Sequence, residues 1–142
     1  MHIFFTSAWM IDFRCIEQQY RNKLHPLNAA TANHYFRCMY IKEITDYLES
    51  KAPIAYQESY DNSGFIIGNP NSRLKNVLIT LDVTEEVMQE KKKKKCNLII
   101  AHHPIVFSGL KKITGKNYVE RVVISAIKND IALYAIHTNL DN

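Results

Sequence analysis

Asn97-Leu98-Ile99-Ile100-Ala101-His102-His103-Pro104 decides how this chain is read. A short apolar run discharges two adjacent histidines, and a proline stops it. A second run of the same build, Ile131-Ala132-Leu133-Tyr134-Ala135-Ile136-His137-Thr138-Asn139-Leu140-Asp141, ends in a histidine and an aspartate. Buried strands that deliver imidazoles and a carboxylate at their carboxyl ends are what a divalent-metal site in an open α/β sheet requires.

Working outward, the neighbouring segments supply the sheet and its cover. Ile41, Ile44 and Leu48 recur at three- and four-residue spacing, predicting an amphipathic helix over Ile41–Lys51 that Pro53 ends. Asp61-Asn62-Ser63-Gly64 is a turn before the apolar run Phe65-Ile66-Ile67, and Gly68-Asn69-Pro70 is a second turn. Val77 to Val83 is a buried strand. Thr84 caps the next helix, with Glu85 and Glu86 in its first turn and the run Lys91 to Lys95 in its last, matching both ends of the helix dipole. After the strand Leu98–Ala101, the stripe Val119, Val122, Val123, Ala126 and Ile127 predicts a helix, and Ala132–Ile136 is the last strand. The order β-α-β-α-β with apolar strands predicts an α/β fold, a mostly parallel sheet with helices on its faces.

That topology collects Asp82, the pair His102 and His103, and His137 with Asp141 at the carboxyl ends of successive strands, where such sheets bind ligands. His102, His103 and Asp141 are the candidate metal ligands, because carboxylates commonly bridge or complete dinuclear sites. His137 is the candidate catalytic residue, with three uses open to it: ligation, orientation of a neighbour, or proton transfer. Asp82, two residues before a helix, also reads simply as a cap. The turn at Asp61 and Asn62 is either only a turn or a polar pair facing the metal edge.

Composition narrows the alternatives. The chain has 142 residues and a net charge of +4, but five of its 18 basic residues lie in the run Lys91 to Lys95, leaving 13 against 14 acidic groups. No distributed basic surface for nucleic acid follows, and the lysine run reads as a solvated helix end without aromatic residues to stack bases. Cys15, Cys38 and Cys96 form no CxxC pair, which suits a reducing, cytoplasmic setting. Neither a P-loop, nor a dinucleotide fingerprint, nor a nucleophile elbow around Ser108-Gly109 is present.

The amino terminus differs. Met1 to Trp9 is apolar, but Asp12 and Arg14 interrupt it, it lacks the basic start of a signal peptide, and it is too short to span a membrane. Residues 10 to 38 show no sustained period. Residues 1–38 are therefore expected to be a disordered leader or non-native extension, with the folded domain starting at Met39.

From Met39 to Asn142 the chain resembles the NGG-interacting factor three family, whose bacterial members are commonly labelled GTP cyclohydrolase 1 type 2 homologs. The resemblance rests on Ile41-Lys42-Glu43-Ile44 with Tyr47-Leu48-Glu49, on Asp61-Asn62-Ser63-Gly64-Phe65, and on Leu81-Asp82-Val83-Thr84. The more specific parts are Ile99-Ile100-Ala101-His102-His103-Pro104 and His137-Thr138-Asn139-Leu140-Asp141. It implies an α/β fold, two divalent metal ions (zinc, iron, manganese or similar) and ring-shaped homo-oligomers, often hexamers, with His102, His103 and Asp141 matching family ligands. The family's late His-x3-Glu pair has no match here, so the chain is expected to be the amino-terminal part of a truncated family domain.

Two functions follow as expectations. One is a metal-dependent hydrolase of a nucleotide or related phosphorylated heterocycle, a small-molecule substrate. The other is a non-catalytic, metal-stabilised oligomeric assembly or regulatory binding protein. Neither a membrane nor nucleic acid is an expected partner.

Overall fold

Strand-forming apolar runs and capped helices alternate along the chain, and the computed structural model, which describes residues 9–12 as backbone together with residues 39–141, shows how they assemble. The elements are β1 (Trp9–Asp12), α1 (Ile41–Lys51), a 3-10 turn (Ile54–Tyr56), β2 (Gly64–Ile67), β3 (Asn76–Thr80), α2 (Glu85–Lys93), β4 (Leu98–Ala101), α3 (Tyr118–Lys128), β5 (Ala132–Ala135) and the short α4 (Thr138–Asp141). They form one five-stranded sheet in the order β1-β3-β4-β5-β2. The centre, β3-β4-β5, is parallel, and β1 and β2 close the two edges antiparallel. The α/β class with a parallel sheet is as the sequence predicts; the antiparallel edges are not visible in its pattern.

The alternation of side chains along each strand divides the core. Leu78, Ile99 and Leu133 join Val87 and Met88 of α2 and Val122 and Ala126 of α3 on one face. Val77, Leu98, Ile100, Ala132 and Tyr134 pack with Ile41, Ile44 and Leu48 of α1 on the other. Both faces are thus covered, the condition under which continuous apolar strands such as Leu98–Ala101 are stable.

Helix boundaries follow from local chemistry. The Glu43 carboxylate accepts the Tyr40 N–H at 2.8 Å at the start of α1. Thr84 Oγ1 accepts from the Val87 N–H at 3.3 Å, and Asn117 Oδ1 accepts from the Glu120 N–H at 2.8 Å. Three readings need correction. β3 ends at Thr80 rather than Val83, because the Thr80 hydroxyl bonds the Asp82 carbonyl and turns the chain out, leaving Leu81 exposed. Ile127 lies outside the buried stripe of α3 and is exposed. Lys91 is not part of a solvated helix end, being only 7% exposed.

Gly68 shows how closely β2 and β5 approach. Its φ is +108°, and a Cβ there would lie 2.6 Å from the Ala132 Cα, so glycine is required both by conformation and by space.

Within the segment read as a leader, Trp9–Asp12 pairs with β3, Trp9 opposite Ile79 and Asp12 opposite Asn76. Residues 1–8, 13–38 and 142 lie outside the described residues, and with them the remainder of that expectation. Among the described residues no helix is long and apolar enough to cross a membrane.

Candidate metal centre

Three parallel strands ending side by side place their last residues on one edge, and backbone hydrogen bonds carry the ladder past the strand ends. The His102 N–H donates to the Thr80 carbonyl at 3.1 Å, His103 N–H to Leu81 at 3.0 Å and Ile136 N–H to Ala101 at 2.9 Å. The histidines therefore leave the sheet from a fixed main chain. His102, His103 and His137 converge so that one ring nitrogen from each lies within 4.8 Å of the others. Ring centroids are 4.9 Å apart for His102–His103, 5.1 Å for His102–His137 and 5.4 Å for His103–His137.

Each imidazole is held through the same atom. Nδ1 of His102 meets the Ile136 carbonyl at 2.9 Å, Nδ1 of His103 meets Asp82 Oδ1 at 2.7 Å, and Nδ1 of His137 meets Asp61 Oδ1 at 3.0 Å. A carbonyl or carboxylate oxygen only accepts, so each Nδ1 carries a proton, and in the neutral imidazole Nε2 is then the nitrogen left with a lone pair. Histidines that bind metals are oriented in this way, by an oxygen on the nitrogen that does not ligate. Asp82 thus serves His103, while the cap of α2 is Thr84.

Asp61 is the residue whose importance the sequence left open. β2 runs antiparallel to β5 with Gly64 opposite Ala135, so the turn before β2 sits beyond the carboxyl end of β5, beside His137. The Asp61 side chain is fully buried. It accepts from the Asn62 N–H at 2.6 Å, the Ser63 hydroxyl at 2.9 Å, the Thr138 N–H at 3.1 Å and the Thr138 hydroxyl. Burial pushes its carboxyl up, but the hydrogen bonds from Thr138, His137, Ser63 and Asn62 outweigh this and hold it well below the usual carboxylate range. Asn139, also buried, accepts the His137 N–H at 2.9 Å and donates to the Ala52 carbonyl at 2.7 Å, tying the site to the end of α1. The Asp-Asn-Ser-Gly turn before an apolar run was the available signal for Asp61; nothing local marks Asn139.

Asp141 stands at the rim. Its Oδ2 is 3.8 Å from His102 Nε2, and its side chain is exposed. The geometry gathers the three histidines tightly, with Asp141 alongside His102 rather than inside the cluster.

With this arrangement in view, the likeness to known proteins is informative. The sequence profile of Duf34/NIF3 (NGG1p interacting factor 3) matches residues 39–142. The chain belongs to the DUF34/NIF3 family. A GTP cyclohydrolase 1 type 2 homolog of Clostridium perfringens is 39% identical over 104 residues, covering 73% of this chain and 40% of that relative. The homolog of Bacillus subtilis is 44% identical over 100 residues, 70% of this chain and 27% of the relative. Among solved structures, a Bacillus cereus protein related to NIF3 superposes with a TM-score of 0.70 at 42% identity, covering 74% of this chain and 29% of that one. This DUF34/NIF3 chain therefore spans less than half the length of the relatives it matches.

Proposed function

We propose that this chain contributes a site for two divalent cations, with His102, His103 and Asp141 as ligands, to a hydrolase of nucleotides or related phosphorylated heterocycles. The observation that carries the reading is the convergence of three imidazoles, each with Nδ1 held by an oxygen. These donors fit borderline cations such as zinc, iron or manganese, for which neutral imidazole is a preferred ligand. When bound, the cations supply Lewis-acid activation of water and of the scissile group. His102 and His103 hold, and Asp141 adds a carboxylate from the rim. His137, kept in the Nδ1–H tautomer by Asp61, is ready at Nε2 to accept a proton from water or to join the ligand set. The reading sets the work in the cytoplasm, where the thiol of Cys96 stays reduced.

One observation favours a second reading, a metal-held oligomeric assembly without turnover. Tyr60, Phe107 and Leu140, close in sequence or space to the site, are at least half exposed, and Tyr60 and Phe107 rings lie 6.2 Å apart, with Phe107 6.2 Å from His137. An apolar rim of this kind suits contact between copies. Protein loaded with zinc, iron or manganese and incubated with GTP separates the readings. Release of formate or phosphate that a chelator and the His102→Ala/His103→Ala variant both abolish supports the hydrolase. Stable metal binding without release from any nucleotide supports the assembly.

A further inference from the structure

At the opposite edge of the sheet, where the parallel strands begin, the chain builds a concavity of about 680 Å³. Arg73 and Lys75 enter it from the segment before β3, and Lys91, Lys92 and Lys95 from the end of α2 and the turn after it. Asp130 is the acidic residue among its described lining. Among the described residues none of these five cations has an ion-pair partner; the lysine beside them that does, Lys94, bonds Glu90 at 2.6 Å and faces elsewhere.

Lys91 is the decisive member. It is 7% exposed, yet it lines the cavity, and among the described residues no carboxylate or carbonyl receives its ammonium. Burial lowers its pKa, the neighbouring Cys96 works against this, and the charges of Lys92 and Lys75 lower it further. Its stem is buried while its ammonium opens onto the cavity, and like charges gathered there cost free energy that a bound anion relieves.

We infer that this cavity is a binding site for a small oligophosphate, the di- or triphosphate tail of a nucleotide or a free polyphosphate. The five basic residues lining one concavity offer positive charge for the three to four negative charges of a triphosphate, and Arg73 carries the fork that pairs phosphate oxygens. No aromatic side chain lies among its described lining, so single-stranded nucleic acid has nothing on which to stack. The site is separate from the histidine cluster. Strands of four or five residues at about 3.3 Å each put the edges roughly 15 Å apart, and the inference stands whatever the metal centre does.

The test is calorimetric titration of the full chain, stripped of metal by dialysis, with sodium tripolyphosphate, ATP and GTP. Saturable binding is expected for all three, with similar affinities, weakening as salt rises. Lys91→Met keeps the buried stem and should weaken tripolyphosphate at least tenfold. Lys75→Gln, at an exposed position where folding is not at stake, should weaken it several-fold, whereas Lys94→Gln should stay within twofold. Absence of tripolyphosphate binding to the unaltered protein overturns the inference. So does equal weakening by Lys94→Gln and Lys91→Met, which would indicate diffuse charge. Binding of a thymidine oligonucleotide that tripolyphosphate fails to displace overturns it as well.

Discussion

The two edges of the sheet are built from opposite materials. The carboxyl edge gathers His102, His103 and His137, whose orientation is secured by oxygens from Asp82, Ile136 and Asp61. The amino edge gathers Arg73, Lys75, Lys91, Lys92 and Lys95 with no such partners among the described residues. One edge has its polar groups satisfied inward and its lone pairs directed outward, the arrangement of a site that accepts cations. The other leaves its charge unanswered, the arrangement of a site that accepts anions. Substitutions at one edge should therefore alter ligand binding there without unfolding the other, unless they strike the packing that joins strands.

The largest effect is expected from His102→Ala with His103→Ala. Both side chains are partly exposed and outside the core, so the fold should persist while divalent-metal affinity falls at least about a thousandfold. Elemental analysis after dialysis and circular dichroism check the two halves; unchanged metal content would remove the histidine pair from the site.

Gly68→Ala is the converse. The added Cβ meets Ala132 backbone at 2.6 Å in a left-handed conformation, so a stability loss of about 3 kcal/mol is expected. Denaturant unfolding measures it, and a loss below about 0.5 kcal/mol would mean that β2 and β5 do not approach so closely.

Asp61→Asn lies between these. It keeps an oxygen for His137 but sets an amide against the Thr138 and Ser63 donors, which should cost about 1–3 kcal/mol of stability and roughly 10- to 100-fold in metal affinity. The pH dependence has a definite sign. Because the folded carboxyl is held below its unfolded value, its contribution is complete above about pH 4 and fades as pH falls through the folded value. The stability gap between the parent and Asp61→Asn should thus be full at neutral pH and narrow in acid. A gap that widened in acid would contradict an ionised, hydrogen-bonded Asp61.

The smallest effect is expected from Tyr134→Phe. The Tyr134 hydroxyl is buried in the core between the edges with no hydrogen-bond partner among the described residues, and burial raises its pKa. Removing it should leave stability unchanged or raise it by about 1 kcal/mol. A loss above that would reveal a partner for the hydroxyl.

Much of this molecule is legible in one dimension. Helical spacing of Ile41, Ile44 and Leu48 sets α1, the cap at Thr84 sets α2, and Leu98–Ala101 reads as a strand buried on both faces. The pair His102-His103 and the histidine at 137 are legible because a strand end is a local event, an apolar run meeting polar residues. Asp61 is only half legible, as a turn with two uses, and Asn139 carries no local signal. Their roles depend on β2 lying antiparallel beside β5 and on the end of α1 approaching α4, relations between segments about 75 to 87 residues apart. Hydrophobic period carries no information about which strand neighbours which.

The lysine run shows the same division from the other side. By composition alone Lys91 to Lys95 are equivalent, and the sequence treats them as one solvated helix end. Packing separates them. Helical rotation turns Lys91 toward the sheet with Val87 and Met88 while Lys92 stays at the surface, and the strand beginnings bring Arg73 and Lys75 across from them. Sequence by itself determined the three long helices and the central strands, because capping, period and turn chemistry act within a few residues. Only the tertiary structure decided which side chains share a site, because burial and hydrogen-bond partners are set by distances that the chain closes when it folds.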